Sequence, residues 1–125
     1  MKKELDLIKT YIEGYNSFDI DKMLSVLNKN IVFENHANNS LTLKLDGINQ
    51  FKEQAEKIAL FFSERKQEIE EIITKEEHYE VHLKYTATLK VDLSEELKKG
   101  NQLKLKGKSI FFFQNGTITK IEDYS

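Results

Sequence analysis

The stretch YIEGYNSFDIDKMLSVLNKNIVFENH, from Tyr11 to His36, changes its hydrophobic period partway along and so restricts the folds open to the chain. Upstream of Asn16-Ser17, the residues Leu5, Ile8, Ile12 and Tyr15 recur at helical spacing and predict an amphipathic helix ending there. Asp19 precedes Ile20, Met23, Leu24 and Leu27, a second helical stripe. Its short carboxylate is suited to accept the free N–H groups at a helix start, with Asp21 adding charge at the positive end. Asn28-Lys29-Asn30 breaks that helix, and Ile31-Val32-Phe33 is expected to open a strand.

The remainder is mostly β. Asn38-Asn39-Ser40 is a turn into a second strand, Leu41–Leu45. Asp46 is expected to cap a third helix with Ile48, Phe51, Ala55, Ile58, Ala59 and Phe62 on its buried stripe. Val81, Leu83, Tyr85, Ala87, Leu89 and Val91 alternate with polar residues, the period of a half-buried strand. Asp92–Gly100 is expected to hold one helical turn capped by Ser94 and closed by Gly100. Gln102–Gln114 and Thr117–Tyr124 read as strands joined by Asn115-Gly116, a strong two-residue hairpin turn. Past Gly107 the run Ser109–Phe113 is apolar at successive positions, which predicts a bulge near Gly107 and a change of side-chain parity. The lysine strip at 98, 99, 104, 106 and 108 reads as a solvated face, with the acidic run from Glu68 to Glu80 on the neighbouring strand.

Bulk composition narrows the function. The 125 residues form one domain, residues 1–125, with 39% apolar and 32% charged residues. A net charge of −2 supplies no basic field for nucleic acid. No apolar run approaches a membrane span, and Glu4, Asp6 and Lys9 interrupt any signal-peptide core. The chain contains no cysteine, which fits a cytoplasmic setting and excludes thiolate chemistry. His78 and His82 enter a strand and share no helical face, so no metal site is expected, and no phosphate-cradling glycine loop points to a cofactor.

The order of elements resembles the nuclear-transport-factor-2-like superfamily, in its SnoaL-like polyketide cyclase and ketosteroid-isomerase-like branch. The matching residues are Tyr11-x3-Tyr15-Asn16-x2-Asp19-x-Asp21, Ile31-x-Phe33-Glu34, Asp46-Gly47, Thr86–Leu93 and the C-terminal Phe113–Ser125 segment. The resemblance implies an α+β fold: a cone-shaped, curved antiparallel or mixed sheet around a long N-terminal helix, with two further helices. It also implies an apolar pocket at the wide end and a homodimer through the outer sheet face.

Ketosteroid isomerases use a tyrosine and a protonated aspartic acid as oxyanion donors, with a carboxylate base. By resemblance the tyrosine falls on Tyr11, the base on Asn35 and the buried acid on Ile110. An amide is no base and an isoleucine cannot donate, so that mechanism is excluded. Alternation carries the reading further. If Asn35 faces inward, so do Ile31 and Phe33, and the last strand turns Thr119, Ile121 and Asp123 inward. Tyr11 and Asp123 are the candidate catalytic residues. Asn35, Tyr15, Phe33, Phe51, Ala55, Tyr85, Phe112 and Ile121 are the candidate ligand-binding residues, although the aromatic and aliphatic members suit plain core as well. The expected function is binding of a small apolar molecule bearing a carbonyl or hydroxyl, with isomerase- or cyclase-type catalysis left open. The rival is a non-catalytic homodimeric binding or scaffold module whose interior is filled by its own side chains, Phe111–Phe113 among them.

Overall fold

The computed structural model describes residues 2–125. In α1 (Lys2–Asn16) the predicted stripe turns inward, with Ile8 and Ile12 buried and Leu5 and Tyr15 packed against the core. Ser17 Oγ donates to the Glu13 carbonyl at 2.8 Å, and Phe18 takes a positive φ of 59°, which ends the helix. The following helix, α2 (Ile20–Leu24), begins as expected: Asp19 Oδ1 accepts the Lys22 N–H at 3.0 Å. The third helix, α3 (Ile48–Ala59), buries Phe51.

Six strands follow the two opening helices: β1 (Leu27–Ala37), β2 (Ser40–Asp46), β3 (Phe62–Thr74), β4 (His78–Leu89), β5 (Gln102–Gln114) and β6 (Thr117–Tyr124). They form one curved sheet in the order β2-β1-β6-β5-β4-β3, parallel only where β1 meets β6. The architecture is therefore the α+β, mixed-sheet fold of the nuclear-transport-factor-2-like type. Tyr79, Val81, Leu83, Ala87 and Leu89 are buried along β4, as the period of two requires. The Asn115-Gly116 turn has φ of 53° and 77°, the left-handed pair that a two-residue hairpin matching strand twist needs.

Several local expectations fail for identifiable reasons. The first strand begins at Leu27, not Ile31. Leu27 pairs with Ile118, and the register resumes at Val32–Lys120, so Asn28-Lys29-Asn30 loops out within the strand. Asp46 closes β2 and does not cap α3. The cap position is Gly47, at φ 89°, while the Gln50 side chain accepts the Asp46 N–H at 2.8 Å. Phe62 starts β3 and is no part of the helix, and Val91 lies beyond β4. Residues 92–100 contain no helical turn. Ser94 Oγ accepts the N–H groups of Glu96 and Leu97, and the Leu97 carbonyl accepts the Leu93 N–H at 2.7 Å, which closes the loop without a helical turn.

The bulge expected near Gly107 is absent. Pairing runs unbroken from Lys84–Lys106 through Leu83–Gly107 to Glu80–Ile110. Odd positions of β5 stay inward: Ser109 and Phe111 are buried at 4% and 1% exposure. Glycine stands at 107 for another reason, since a Cβ there would lie 2.5 Å from the Tyr124 carbonyl oxygen. The irregularity falls on β6 instead, where Phe112 pairs with Lys120 but Phe113 pairs with Ile118, leaving Thr119 extra. The inward set on β6 is consequently Ile118, Ile121 and Asp123, and Thr119 drops out.

Candidate functional site

The inner sheet face, α1 and α3 enclose a cavity of about 300 Å³. Helical spacing of four puts Tyr11 and Tyr15 of α1 on one face, and Phe51 and Ala55 of α3 on another. Strand alternation does the same for Phe33 and Asn35 of β1 and for Arg65 and Gln67 of β3, and β6 adds Asp123. A contiguous lobe of about 210 Å³ extends toward β5 and shares Tyr15, Asn35, Gln67 and Asp123.

Asp123 lies between two cross-strand neighbours, Asn35 on β1 and Ser109 on β5. Ser109 Oγ donates to its Oδ1 at 2.5 Å. Withdrawal from water pushes the Asp123 pKa from 3.8 up to about 6, against the Ser109 hydrogen bond, which favours the charged form. Enough carboxylate and acid therefore coexist near neutrality for Asp123 to work in either direction. The Tyr11 hydroxyl is held well above its ordinary pKa, first by burial and then by the charge of Asp123, with Arg65 opposing. It stays a phenol and a donor. Asn35 is fixed by the extra residue of a bulge on β2: its Nδ2 donates to Thr42 Oγ1 at 2.8 Å, and that hydroxyl donates to the Asn35 carbonyl at 3.0 Å. The amide Oδ1 is left as an acceptor.

Arg65 is a polar cavity residue that pattern reading missed. It is 6% exposed. Its Nε donates to the Tyr15 carbonyl at 2.7 Å, at the negative end of α1. Its guanidinium lies 3.8 Å from the Tyr15 ring centre and 4.5 Å from that of Phe18. Asn16 ties the same edge by exchanging hydrogen bonds with the Gln67 backbone at 2.7 and 3.1 Å.

Tyr11, Tyr15, Phe33, Asn35, Phe51, Ala55 and Asp123 thus meet in one cavity, and Tyr85 lines the adjoining lobe, accepting from Tyr15 OH at 3.1 Å. Two other expected positions lie elsewhere. Ile121 is sealed in the core at 0% exposure. Phe112 occupies an even position of β5 and faces outward, 5.2 Å from the His78 ring and 5.7 Å from Lys120 Nζ. Ile110 shares that outward parity, so the β5 side chain at the level of the cavity is Ser109. Arg65 and Gln67 sat hidden in a run of charges; their alternation with Ile69, on the same face, was the available signal. Met23, Leu43, Leu45, Gln54 and Ile58 complete the wall.

A family model described as the SnoaL-like domain matches residues 8–121. No curated protein matches the sequence. Among solved structures, a candidate polyketide cyclase of Xanthomonas campestris is similar at 16% identity and a TM-score of 0.78, covering 99% of this chain and 90% of its own. A nuclear-transport-factor-2-like protein of unknown function from Burkholderia pseudomallei gives 17% identity and a TM-score of 0.79, with 98% and 90% covered. An epoxide hydrolase of Mycobacterium tuberculosis, of the LEH-like kind, gives 12% identity and a TM-score of 0.78, with 98% and 82% covered. Likeness at these identities establishes a shared fold.

Proposed function

Starting from the fact that the chain belongs to the SnoaL-like domain family, we propose that it binds a small, mostly apolar molecule with a carbonyl or hydroxyl and acts on it by proton transfer. The observation that carries this reading is the convergence of Tyr11, Asn35 and Asp123 on one cavity of about 300 Å³, the lower end of the size range of small-molecule sites. In this reading Tyr11 donates a hydrogen bond to the ligand oxygen, and Asn35 orients the ligand. Asp123 takes up or releases the proton in an isomerase- or cyclase-type step. The folds shared with a candidate polyketide cyclase and an epoxide hydrolase support a scaffold suited to such chemistry. No ketosteroid isomerase mechanism is implied, because Asn35 and the outward Ile110 replace the groups it needs.

Among the described residues no helix is long and apolar enough to cross a membrane, and we place the protein in the cytoplasm, where a chain without cysteine is at home. We also assign a homodimer contact to the outer sheet face, where Ile110 and Phe112 stand half-buried among charged side chains.

Ala55→Trp tests the cavity by filling it. Native mass spectrometry of the protein incubated with a fractionated small-molecule extract is expected to show a retained adduct in the wild type and none in the variant. An adduct that survives in Ala55→Trp places the ligand elsewhere. With the ligand identified, Asp123→Asn is expected to keep binding while turnover falls roughly 100- to 10,000-fold; unchanged turnover rejects the acid–base role.

A further inference from the structure

A buried cation without a counter-ion is costly, and a buried polar atom without a hydrogen bond is rare in folded proteins. The cavity wall contains both. Arg65 Nη2 and Gln67 Oε1 are buried with no hydrogen-bond partner among the described residues. Arg65 forms no ion pair among them either, although a carboxyl group, Asp123, lines the same cavity. The known work of Arg65 uses only part of the guanidinium. Nε closes the end of α1, and the Tyr15 and Phe18 rings cover the flat faces. The remaining N–H groups lie in the plane of the fork, the geometry that suits the two oxygens of a carboxylate. Gln67, two residues along the same strand face, holds a buried acceptor in want of a donor.

We propose that the ligand of this cavity is an apolar organic acid whose carboxylate pairs with Arg65, and that a ligand hydroxyl or N–H donates to Gln67 Oε1. This rests on the reading of the cavity as a ligand site and names the ligand's class. The apolar wall of Phe33, Phe51 and Ala55 takes the hydrocarbon part, and Arg65 sets the charge that is accepted. The preference is for an anion over a neutral molecule of the same shape, because the neutral molecule leaves the buried guanidinium unpaired.

The test uses 2-naphthoate and 2-naphthamide, which differ in charge and hardly in shape, titrated calorimetrically into the wild-type protein and Arg65→Gln. The wild type is expected to bind the carboxylate at least tenfold more tightly. Arg65→Gln is expected to lose that preference while still binding the amide, which also shows that the variant is folded. Equal affinity of the wild type for both probes, or a preference kept by Arg65→Gln, overturns the assignment of an acid and leaves the cavity reading standing. Binding of neither probe removes both. The wild-type comparison decides the matter even where the variant does not fold.

Discussion

At the scale of single residues, Asp123 has a measurable consequence for stability. Its pKa is raised in the folded state to about 6 from 3.8, so the native protein holds a proton that the unfolded chain has already released. Its contribution is most favourable below about pH 4, declines as pH rises to about 6, and is constant above. Because the carboxyl faces a cavity and not solid core, the loss is on the order of 1–3 kcal/mol. Asp123→Asn abolishes it. Urea denaturation at pH 8 should therefore find the variant more stable than the wild type, with the difference vanishing near pH 4. Equal stability at both pH values contradicts the raised pKa. Asp123 was legible from strand alternation once the family resemblance had turned Asn35 inward. Arg65 was not, because its burial depends on two aromatic rings from the α1–α2 corner that β3 meets only in the folded chain.

At the scale of elements, several readings made from a single segment held, while the cap expected at Asp46 and the helical turn expected within 92–100 did not form. The Asp19 cap, the alternation of β4 and the Asn115-Gly116 turn each depend on their own residues. What depends on a partner strand was misplaced. The parity change was expected on β5 at Gly107 and occurs on β6 at Thr119, since a bulge is a property of the pair. Phe112 and Ile110 went to the outer face for the same reason. Gly107 has its own role in admitting the Tyr124 carbonyl, and the obstacle is backbone, which cannot rotate away. Gly107→Ala is expected to cost about 1–3 kcal/mol, the usual range for overpacking, in urea denaturation. A neutral result means the β5–β6 seam is looser than the structure has it.

At the scale of the whole molecule, the order of helices and strands was enough to name the fold, whose curvature leaves a space between helices and sheet that side chains do not fill. The rival interior, packed solid by Phe111–Phe113, is not what forms. Phe111 packs against Tyr11 with ring centres 5.8 Å apart, Phe113 packs against Tyr79 at 5.5 Å, and Phe112 turns away. That outward residue bears on assembly. Light scattering is expected to find a dimer for the wild type and a monomer for Phe112→Glu, because a charge at the centre of an apolar contact leaves itself unpaired. A wild-type monomer removes the dimer assignment without touching the cavity.

Crystals soaked with small aromatic ketones and acids would reveal whether the interior takes a ligand. Fragment density is expected inside the curve of the sheet, with the fragment's oxygen within about 3 Å of the Tyr11 hydroxyl, the Asn35 amide or the Asp123 carboxyl. Density found only on the outer surface, or an interior closed around these three side chains, contradicts this expectation.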